Sequence, residues 1–330
     1  MNIKECIKNS ECFNFFPDEE SSLDIINVAY GVDVNFQFGA SVSIVSLLIN
    51  NTSKRFSFNL FTDSVSDEYR DALRVIAEKY HSKITLYTLD GDVFSQFPST
   101  NAWSRATYFR FAAFEYLSDY IDRVMYIDAD VICNNSIDEF YFEDINNFIA
   151  AVIPDVERNR IKAAERFSIS EFCDSYFNAG VILLNLVKWK RKSCFEQALD
   201  ILSNSKYNLA FLDQDVLNLI FRGDTVIMRR DFNCIYGMDR ELIKKETYRD
   251  YIKKSTVLIH YVGLTKPWHE WAIDYESAQP FKRAFLESPW GNSSLVKASS
   301  VKLIKRKSKH EKRQGLYLKS IITFLSQYKN

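Results

Sequence analysis

An alternation of short apolar runs with helix-like segments constrains the fold of this chain more than any other feature. Residues 24–31, 55–63 and 83–90 are apolar or alternating runs of strand length. Residues 38–51 and 67–81 carry apolar side chains at helical spacing. Strands that alternate with helices in this way predict an α/β fold, with a mostly parallel central sheet covered on both faces.

The pattern continues along the chain. We expect helices over residues 103–117 and 212–221, and strands over residues 123–133 and 176–189. Residues 255–268 predict a strand that runs into a loop with Gly and Pro. Hydrophobic residues make up 47% of the 330 positions, which is enough for a large core. No GxGxxG and no GxxxxGK[ST] occurs, so the common dinucleotide and P-loop fingerprints are absent.

The composition divides the chain into three parts. Residues 1–23 are polar and predict an irregular N-terminal extension. Residues 24–275 predict a single α/β domain, and residues 276–330 form a basic and aromatic C-terminal extension. Six scattered cysteines without a CxxC pair, no signal-peptide core and no run of about 18 apolar residues favour a cytoplasmic protein.

The C-terminal extension differs in charge from the rest of the chain. Residues 297–330 contain ten Lys and Arg and one Glu, a net charge of +9, which leaves −10 for residues 1–296. Apolar side chains then follow at helical spacing, at Tyr317, Ile321 and Phe324. This pattern favours a helix on an anionic membrane surface. A helix packed on the body and a solvated run of charge stay open, whereas an acidic body disfavours nucleic acid.

The run MYIDADVIC (125–133) places Asp128 and Asp130 beside an apolar stretch. In an extended strand, side chains at positions i and i+2 point to the same side, and ligands bind at the carboxyl edge of parallel strands. Two carboxylates in one site repel each other unless a cation intervenes. Mg²⁺ or Mn²⁺ would suit these oxygen ligands. A solvated strand end is the alternative interpretation.

His260 follows another apolar strand, and the loop after it contains Gly263 and Lys266. One imidazole with two carboxylates is a plausible ligand set for Mn²⁺. Gly263 would let the backbone approach a ligand closely, and Lys266 is a cation suited to phosphate. A hydrogen-bonded core histidine is the alternative interpretation of His260.

Six blocks together resemble glycosyltransferase family 8, the retaining, metal-dependent enzymes that use nucleotide sugars. They stand in the family's order and span residues 24–270. The blocks are VAYGVDVNF (28–36), WSRATYFRF (103–111), MYIDADVI (125–132), YFNAGVILLNLVKW (176–189), LDQDVLN (212–218) and HYVGLTKPWH (260–269). With the basic extension, the chain is most similar to the bacterial α-1,2-hexosyltransferases that add glucose or galactose to the lipopolysaccharide outer core.

The resemblance implies a Rossmann-like nucleotide-sugar domain of the GT-A type over residues 24–275. It implies a UDP-glucose or UDP-galactose donor, a lipopolysaccharide core acceptor and no nucleic acid. The extension over residues 276–330 would attach the enzyme peripherally to the cytoplasmic face of the inner membrane. An α-1,3-hexosyltransferase of the same pathway, a divalent-metal phosphohydrolase and an inactive sugar-binding homologue stay open as alternatives.

The resemblance also assigns roles to individual residues. Asp128, Asp130 and His260 would bind Mn²⁺ or Mg²⁺, and Gln214 and Asp213 would be catalytic. The residues expected to bind the UDP-sugar donor are Ala29, Tyr30, Asp33, Asn35, Arg110, Asp128, Ala129, Asn178, Ala179, Gly263 and Lys266. For Ala29 and Tyr30 the expected contact is through the backbone.

The mechanism expected from these roles is retention without a protein nucleophile. Gln214 stands where a retaining glycosidase would have a carboxylate, and an amide is a poor nucleophile. We therefore expect the acceptor hydroxyl to attack from the face that UDP leaves, with the UDP phosphate as base. Covalent participation of Asp213 or Asp215 stays open, and so does a purely structural role of these acids at a helix N-terminus.

Overall fold

The computed structural model describes residues 3–17, 25–95, 97, 105–204 and 206–328 of the chain. The strands are β1 (Ile7–Asn14), β2 (Ile25–Gly31), β3 (Arg55–Thr62), β4 (Lys83–Leu89), β5 (Arg123–Ile127), β6 (Val131–Cys133), β7 (Ala150–Pro154), β8 (Phe177–Asn185), β9 (Thr225–Ile227), β10 (Cys234–Ile235) and β11 (Leu258–His260).

Helices connect and cover these strands. They are α1 (Gln37–Asn50), α2 (Asp67–Lys79), α3 (Phe109–Leu117), α4 (Asp138–Tyr141), α5 (Glu157–Phe167), α6 (Phe172–Ser175), α7 (Leu186–Arg191), α8 (Cys194–Ser203), α9 (Leu212–Ile220), α10 (Gln279–Glu287), α11 (Val301–Arg313) and α12 (Tyr317–Ser326). Short 3-10 turns are Ile3–Cys6, Gly91–Phe94, Arg105–Tyr108, Arg230–Phe232, Met238–Leu242, Tyr248–Asp250 and Glu276–Ala278.

The main sheet has the strand order β1-β4-β3-β2-β5-β8-β7-β9, and a smaller sheet has the order β10-β11-β6. In the main sheet, β2, β3, β4 and β5 are mutually parallel, as are β7 and β9. β8 runs antiparallel to both of its neighbours, and β1 runs antiparallel to β4. The α/β fold class with a mostly parallel sheet is therefore confirmed.

Successive residues of β2 face two different cores, as expected for a strand buried on both faces. Val28 and Tyr30 belong to the apolar cluster that packs against α1, α2 and α10. Ala29 belongs to the cluster that packs against α3, α7, α8 and α9. Helices on both faces bury the central strands and leave their ends to form a site.

The prediction of one continuous strand over residues 123–133 is wrong. β5 ends at Ile127, and β6 begins at Val131 in the other sheet. The turn between them carries both aspartates: the Asp128 N–H donates to Gly180 O (2.9 Å), and the Val131 N–H donates to Asp128 O (3.1 Å). The two acids therefore lie in the corner between the sheets and not along one strand.

The N-terminal and β8 predictions also need correction. The irregular extension predicted for residues 1–23 is wrong for Ile7–Asn14, which pairs along the edge strand β4; residues 18–23 lie outside the described residues. The strand predicted over residues 176–189 ends at Asn185, whose side chain accepts the Lys188 N–H (3.0 Å). This side chain caps α7 and stops the strand.

The C-terminal extension forms a helical pair, α11 and α12, in which the two helices contact the body differently. α11 is docked by His310, which is fully buried and hydrogen-bonds both Asp239 (3.1 Å) and Tyr275 (3.0 Å). α12 packs on α11 through Ser320, which lies 3.1 Å from Ser308. Among the described residues, no helix is both long enough and apolar enough to cross a membrane.

Candidate active site

The corner between the two sheets brings three predicted metal ligands together. β11 runs antiparallel to β6 and pairs His260 with Val131, so the imidazole lies next to the aspartate turn. His260 Nε2 is 3.1 Å from Asp130 Oδ1 and 4.0 Å from Asp128 Oδ2. One ligand atom from each residue lies within 4.8 Å of the others. Two carboxylates and an imidazole at this spacing fit Mn²⁺ or Mg²⁺.

Gly180 on β8 makes the close approach of these side chains possible. A Cβ at this position would lie 2.3 Å from His260 Cε1 and 2.8 Å from Asp128 Oδ2. Any larger residue would force the imidazole and the carboxylate apart. A glycine inside a strand is a sequence signal for such an approach, but our sequence reasoning did not use it.

Two cations hold the aspartates. Lys266 Nζ lies 2.5 Å from Asp130 Oδ2 and also donates to Tyr261 O (2.8 Å). Burial by itself would raise the pKa of Asp130, but Lys266 and His260 outweigh it and hold that pKa below its usual value. Arg110 donates to Asp128 Oδ1 (2.8 Å). Each carboxylate is therefore paired with a cation of the chain.

Arg110 is held by several groups of the chain. Its guanidinium is buried, pairs with Asp213 Oδ2 (3.0 Å), donates to Ala179 O (2.7 Å) and lies over the Tyr126 ring (4.5 Å).

The formal charges in the site do not cancel. Asp128, Asp130 and Asp213 carry −3, and Arg110 and Lys266 carry +2, so the five groups sum to −1. The residual charge favours an added cation.

The start of α9 supplies Asp213 and Gln214. Asp213 accepts a hydrogen bond from the Thr107 hydroxyl and forms an ion pair with Arg110. Burial raises the pKa of Asp213 to about 6, although Arg110 and Thr107 act in the opposite direction. Asp213 is therefore ionised at neutral pH but close to its protonation range.

Gln214 has no free hydrogen-bonding position. Its Oε1 accepts from Asn178 Nδ2 (3.1 Å) and the Ala179 N–H (3.1 Å), and its Nε2 donates to Asp155 (2.9 Å) and Tyr176 (3.2 Å). An amide carbonyl has two lone pairs, so both are occupied. Gln214 is held rigidly and is not prepared to act as a nucleophile.

Asp215 shares the Tyr176 hydroxyl with Gln214: this hydroxyl accepts from Gln214 Nε2 and donates to Asp215. It is fully buried, and its carboxylate accepts from Arg166 (2.5 Å), Tyr176 (2.5 Å) and the Phe211 N–H (2.8 Å). These contacts fix the start of α9 and leave Asp215 without access to a substrate. The structure therefore favours a structural role for Asp215 over a covalent one.

The residues predicted to hold the uridine lie at the end of β2 and in the turn after it. Ala29 and Tyr30 are fully buried, and the Tyr30 hydroxyl meets Ser43 (2.9 Å) in the core, so these residues can offer only backbone to a ligand. Asp33 Oδ1 accepts the Asn35 N–H (3.0 Å) in the turn that leads into α1. The end of β2 neighbours β5, so this turn borders the aspartate corner.

Ala129 and the loop after β11 close the site on its other side. Gly39 in α1 packs so closely that a Cβ would lie 2.9 Å from Ala129 O and 2.8 Å from the Trp268 ring. Gly263 has a φ of 92°, which favours glycine, and Lys266 in the same loop lies over the Phe36 ring (5.8 Å). The donor-binding roles of all these residues stay predictions.

Sequence reasoning missed four residues that support the site: Thr107, Asp155, Gly180 and Asn233. Asn233 is fully buried, and its Oδ1 lies 3.2 Å from His260 Nδ1. Nothing in the local sequence around it signals this contact, because β11 follows more than twenty residues later in the chain.

Comparisons with known proteins show which proteins the chain is similar to. The profile of Glycosyl transferase family 8 matches residues 27–272, and that of the family 8 C-terminal region matches residues 275–330. The chain is 40% identical over 301 residues to a lipopolysaccharide 1,2-glucosyltransferase of Escherichia coli strain K12, covering 91% of this chain and 89% of that protein. It is 34% identical to a lipopolysaccharide 1,3-galactosyltransferase of Salmonella typhimurium, covering 99% and 96%.

Among solved structures, the galactosyltransferase LgtC in complex with donor and acceptor sugar analogs has a TM-score of 0.68. The sequences are 23% identical, and the match covers 80% of this chain and 96% of LgtC. At this identity the likeness supports the fold.

Proposed function

The chain belongs to glycosyltransferase family 8, and from that premise we propose that it transfers glucose or galactose from a UDP-hexose to a hexose of the lipopolysaccharide outer core. The observation that carries the proposal is the convergence of Asp128, Asp130 and His260 beside Gln214, in a chain similar over nearly its whole length to lipopolysaccharide hexosyltransferases. The higher identity to the 1,2-glucosyltransferase supports an α-1,2 linkage. An α-1,3 linkage is the alternative that the second relative supports.

Asp128, Asp130 and His260 would hold Mn²⁺ or Mg²⁺ together with the donor diphosphate. When bound, the ion would act as a Lewis acid that stabilises negative charge on the departing UDP. Lys266 supplies a fixed cation on the same side of the site, and its donors already point to Asp130 and Tyr261 O. A phosphate oxygen is a further acceptor that this ammonium group can take.

Arg110 acts on the site through the aspartates. It neutralises part of their charge and, by bonding both Asp128 and Asp213, fixes the distance between the metal side and the sugar side. Because each of its three nitrogens donates to an acceptor of the chain, we assign Arg110 to positioning these two carboxylates.

Gln214 and Asp213 would steady positive charge on the sugar. The bond between C1 and the UDP oxygen breaks, the acceptor hydroxyl oxygen bonds to C1 on the same face, and the hydroxyl proton passes to the departing phosphate oxygen. This sequence retains configuration. The occupied lone pairs of Gln214 and the inaccessible Asp215 support it over a covalent intermediate.

The helical pair α11 and α12 would dock the enzyme on the cytoplasmic face of the inner membrane. Four lysines are exposed along one face of α11, at spacings of three, four and three residues: Lys302, Lys305, Lys309 and Lys312. α12 exposes Leu318 (80%) and Ile322 (69%). A basic stripe beside exposed apolar side chains suits an anionic lipid surface.

A donor panel tests the proposed activity. Purified protein is incubated with UDP-glucose or UDP-galactose, with and without Mn²⁺, on truncated lipopolysaccharide cores, and UDP release is measured together with the linkage of the product. We expect metal-dependent transfer from one of the two donors and an α-1,2 product. An α-1,3 product would select the alternative linkage. No metal-dependent UDP release from any hexose donor would overturn the proposal.

A further inference from the structure

We propose that Asn233 is a positioning residue that keeps a proton on His260 Nδ1, so that Nε2 is the nitrogen offered to the metal. The inference rests on the metal site of the proposed function. It concerns three side-chain amides, those of Asn233, Asn178 and Gln214, which link His260 to Asp155 by hydrogen bonds. The contacts of these amides set the direction of each hydrogen bond.

The chain of hydrogen bonds starts at a group that can only accept. The Asp155 carboxylate receives Gln214 Nε2 (2.9 Å), so Gln214 Oε1 must face the other way. That oxygen receives the Ala179 N–H (3.1 Å), which can only donate, and Asn178 Nδ2 (3.1 Å). The orientation of Gln214 is therefore determined at both ends.

The same logic orients the next two amides. Asn178 Oδ1 receives the Gly180 N–H (3.1 Å), which again can only donate, and it also receives Asn233 Nδ2 (2.9 Å). Asn233 therefore has its Oδ1 toward His260 Nδ1, at 3.2 Å. An amide oxygen can only accept, so Nδ1 must be the donor. Flipping any single amide would bring two donors or two acceptors together.

The surroundings of the other ring nitrogen, Nε2, explain why the position of the ring proton matters. His260 Nε2 faces the Asp130 carboxylate at 3.1 Å, another acceptor. If Asn233 offered nothing, the single proton of a neutral ring would be held best at Nε2 by Asp130, and the metal-binding lone pair would be lost. A hydrogen bond from a neighbouring residue to the other ring nitrogen is a general way to orient a metal-binding histidine. Asn233 thus competes with Asp130 for the ring proton.

Three variants separate this role from general stability. Asn233→Ala removes the acceptor. Asn233→Asp keeps an acceptor for Nδ1 but cannot donate to Asn178. Asn51→Ala is the matched control, because Asn51 is also buried, bonds Leu47 O (2.9 Å) and the Ile137 N–H (3.0 Å), and contacts no member of the amide chain.

The first measurement is the tautomer of His260 by ¹⁵N NMR of histidine-labelled full-length protein at mildly alkaline pH, metal-free and with Mg²⁺. The chain has four histidines, and His260→Gln assigns the signal. We expect a protonated Nδ1 in the wild type under both conditions, in Asn233→Asp and in Asn51→Ala. In metal-free Asn233→Ala we expect the proton on Nε2. An unprotonated Nδ1 in the wild type would overturn the proposal even if Asn233→Ala failed to fold.

The second measurement is Mn²⁺ affinity, from the EPR signal of free Mn²⁺ in titrations of the same proteins. Loss of a residue that hydrogen-bonds a metal ligand typically weakens metal binding by about 10–100-fold, which is the loss that we expect for Asn233→Ala. Asn233→Asp should regain most of that affinity, and Asn51→Ala should bind as the wild type does. Equal weakening in Asn51→Ala, or none in Asn233→Ala, would overturn the proposal.

The two proposals fail in different ways. A wild-type protein that binds no Mn²⁺ would contradict the metal site of the proposed function. The tautomer in the metal-free sample would still decide whether Asn233 holds the Nδ1 proton.

Discussion

The active-site corner and the C-terminal helical pair treat charged and apolar side chains in opposite ways. In the corner, Asp130, Asp213 and Arg110 are buried, and each has an oppositely charged partner within the chain. In α12, Leu318 and Ile322 are apolar and exposed. Burial of paired charge prepares a fixed geometry, whereas exposed apolar surface needs a partner from outside the chain. The corner is expected to respond to ligands, and the helical pair to a surface.

The largest expected effect comes from a metal ligand in the corner. Asp128→Asn should lower transfer by about 10³-fold, because a Lewis-acid metal contributes several kcal/mol of transition-state stabilisation. The fold should persist, since Arg110 keeps its pairing with Asp213 and the Asp128 side chain is 29% exposed. Transfer rates with saturating Mn²⁺ and a thermal unfolding curve measure both effects.

Asp174→Asn is the control for this substitution, because the Asp174 side chain is 98% exposed and lies outside the site. If the transfer rate of Asp128→Asn stayed within tenfold of the wild-type rate, the prediction that the corner is the catalytic site would be contradicted. Partial recovery at high Mn²⁺ is compatible with a weakened site that keeps Asp130 and His260.

These two regions also differ in how far the sequence could predict them. Strand and helix spacing predicted the central strands, and the resemblance of six blocks predicted the meeting of Asp128, Asp130 and His260. The break after Ile127 was not predictable from periodicity, because both flanking runs are apolar and only the sheet pairing separates them. The contact of Asn233 with His260 was not predictable for a similar reason, since contacts between distant segments leave no local sequence pattern.

The C-terminal extension shows the same limit of prediction from sequence. The charge of residues 297–330 and the spacing of its aromatic side chains predicted a helix with one apolar face. The sequence did not show that α11 and α12 would be separate helices. Docking of α11 depends on Asp239, which His310 and Arg306 both contact, and such pairing depends on the folded body.

The next largest effect is a pH dependence that has opposite signs for activity and stability. Burial raises the pKa of Asp213 to about 6 from an ordinary value of 3.8. As pH falls through about 6, Asp213 takes up a proton and loses its charge toward Arg110 and the sugar, so transfer should decline. The folded state holds this proton more tightly than the unfolded state. Its contribution to stability is therefore complete below about pH 4 and is lost as pH rises through about 6.

The size of the stability effect follows from the shift. About two pKa units correspond to about 3 kcal/mol of unfolding free energy across this pH range. Asp213→Asn should remove this pH dependence of stability and the acidic decline of transfer, at a lower overall rate. Denaturant unfolding and pH–rate profiles of both proteins measure this. If the transfer rate of Asp213→Asn declined at acidic pH with the same midpoint as that of the wild type, the titrating group would be another residue.

In the helical pair, one exposed apolar side chain should affect membrane binding without affecting the corner. Leu318→Asp should weaken binding to vesicles of anionic lipid by about 10-fold or more, because a buried leucine contributes roughly 1.5–3 kcal/mol. Transfer to a water-soluble core acceptor should be unchanged. Leu286→Asp in α10 is the matched control, since Leu286 is 61% exposed but lies outside α11 and α12. Equal loss in both variants would contradict a specific docking surface.

The smallest effect sharpens the comparison by separating charge from apolar contact within the helical pair. Lys305 is exposed on α11, whereas Lys307 on the same helix is engaged by Glu270. A lysine near an anionic membrane contributes about 1 kcal/mol, so Lys305→Gln should weaken vesicle binding about fivefold at low salt. The difference should vanish in high salt and on neutral lipid, where the Leu318→Asp defect persists. If the loss of vesicle binding in Lys305→Gln did not depend on salt concentration, α11 would bind through shape rather than charge.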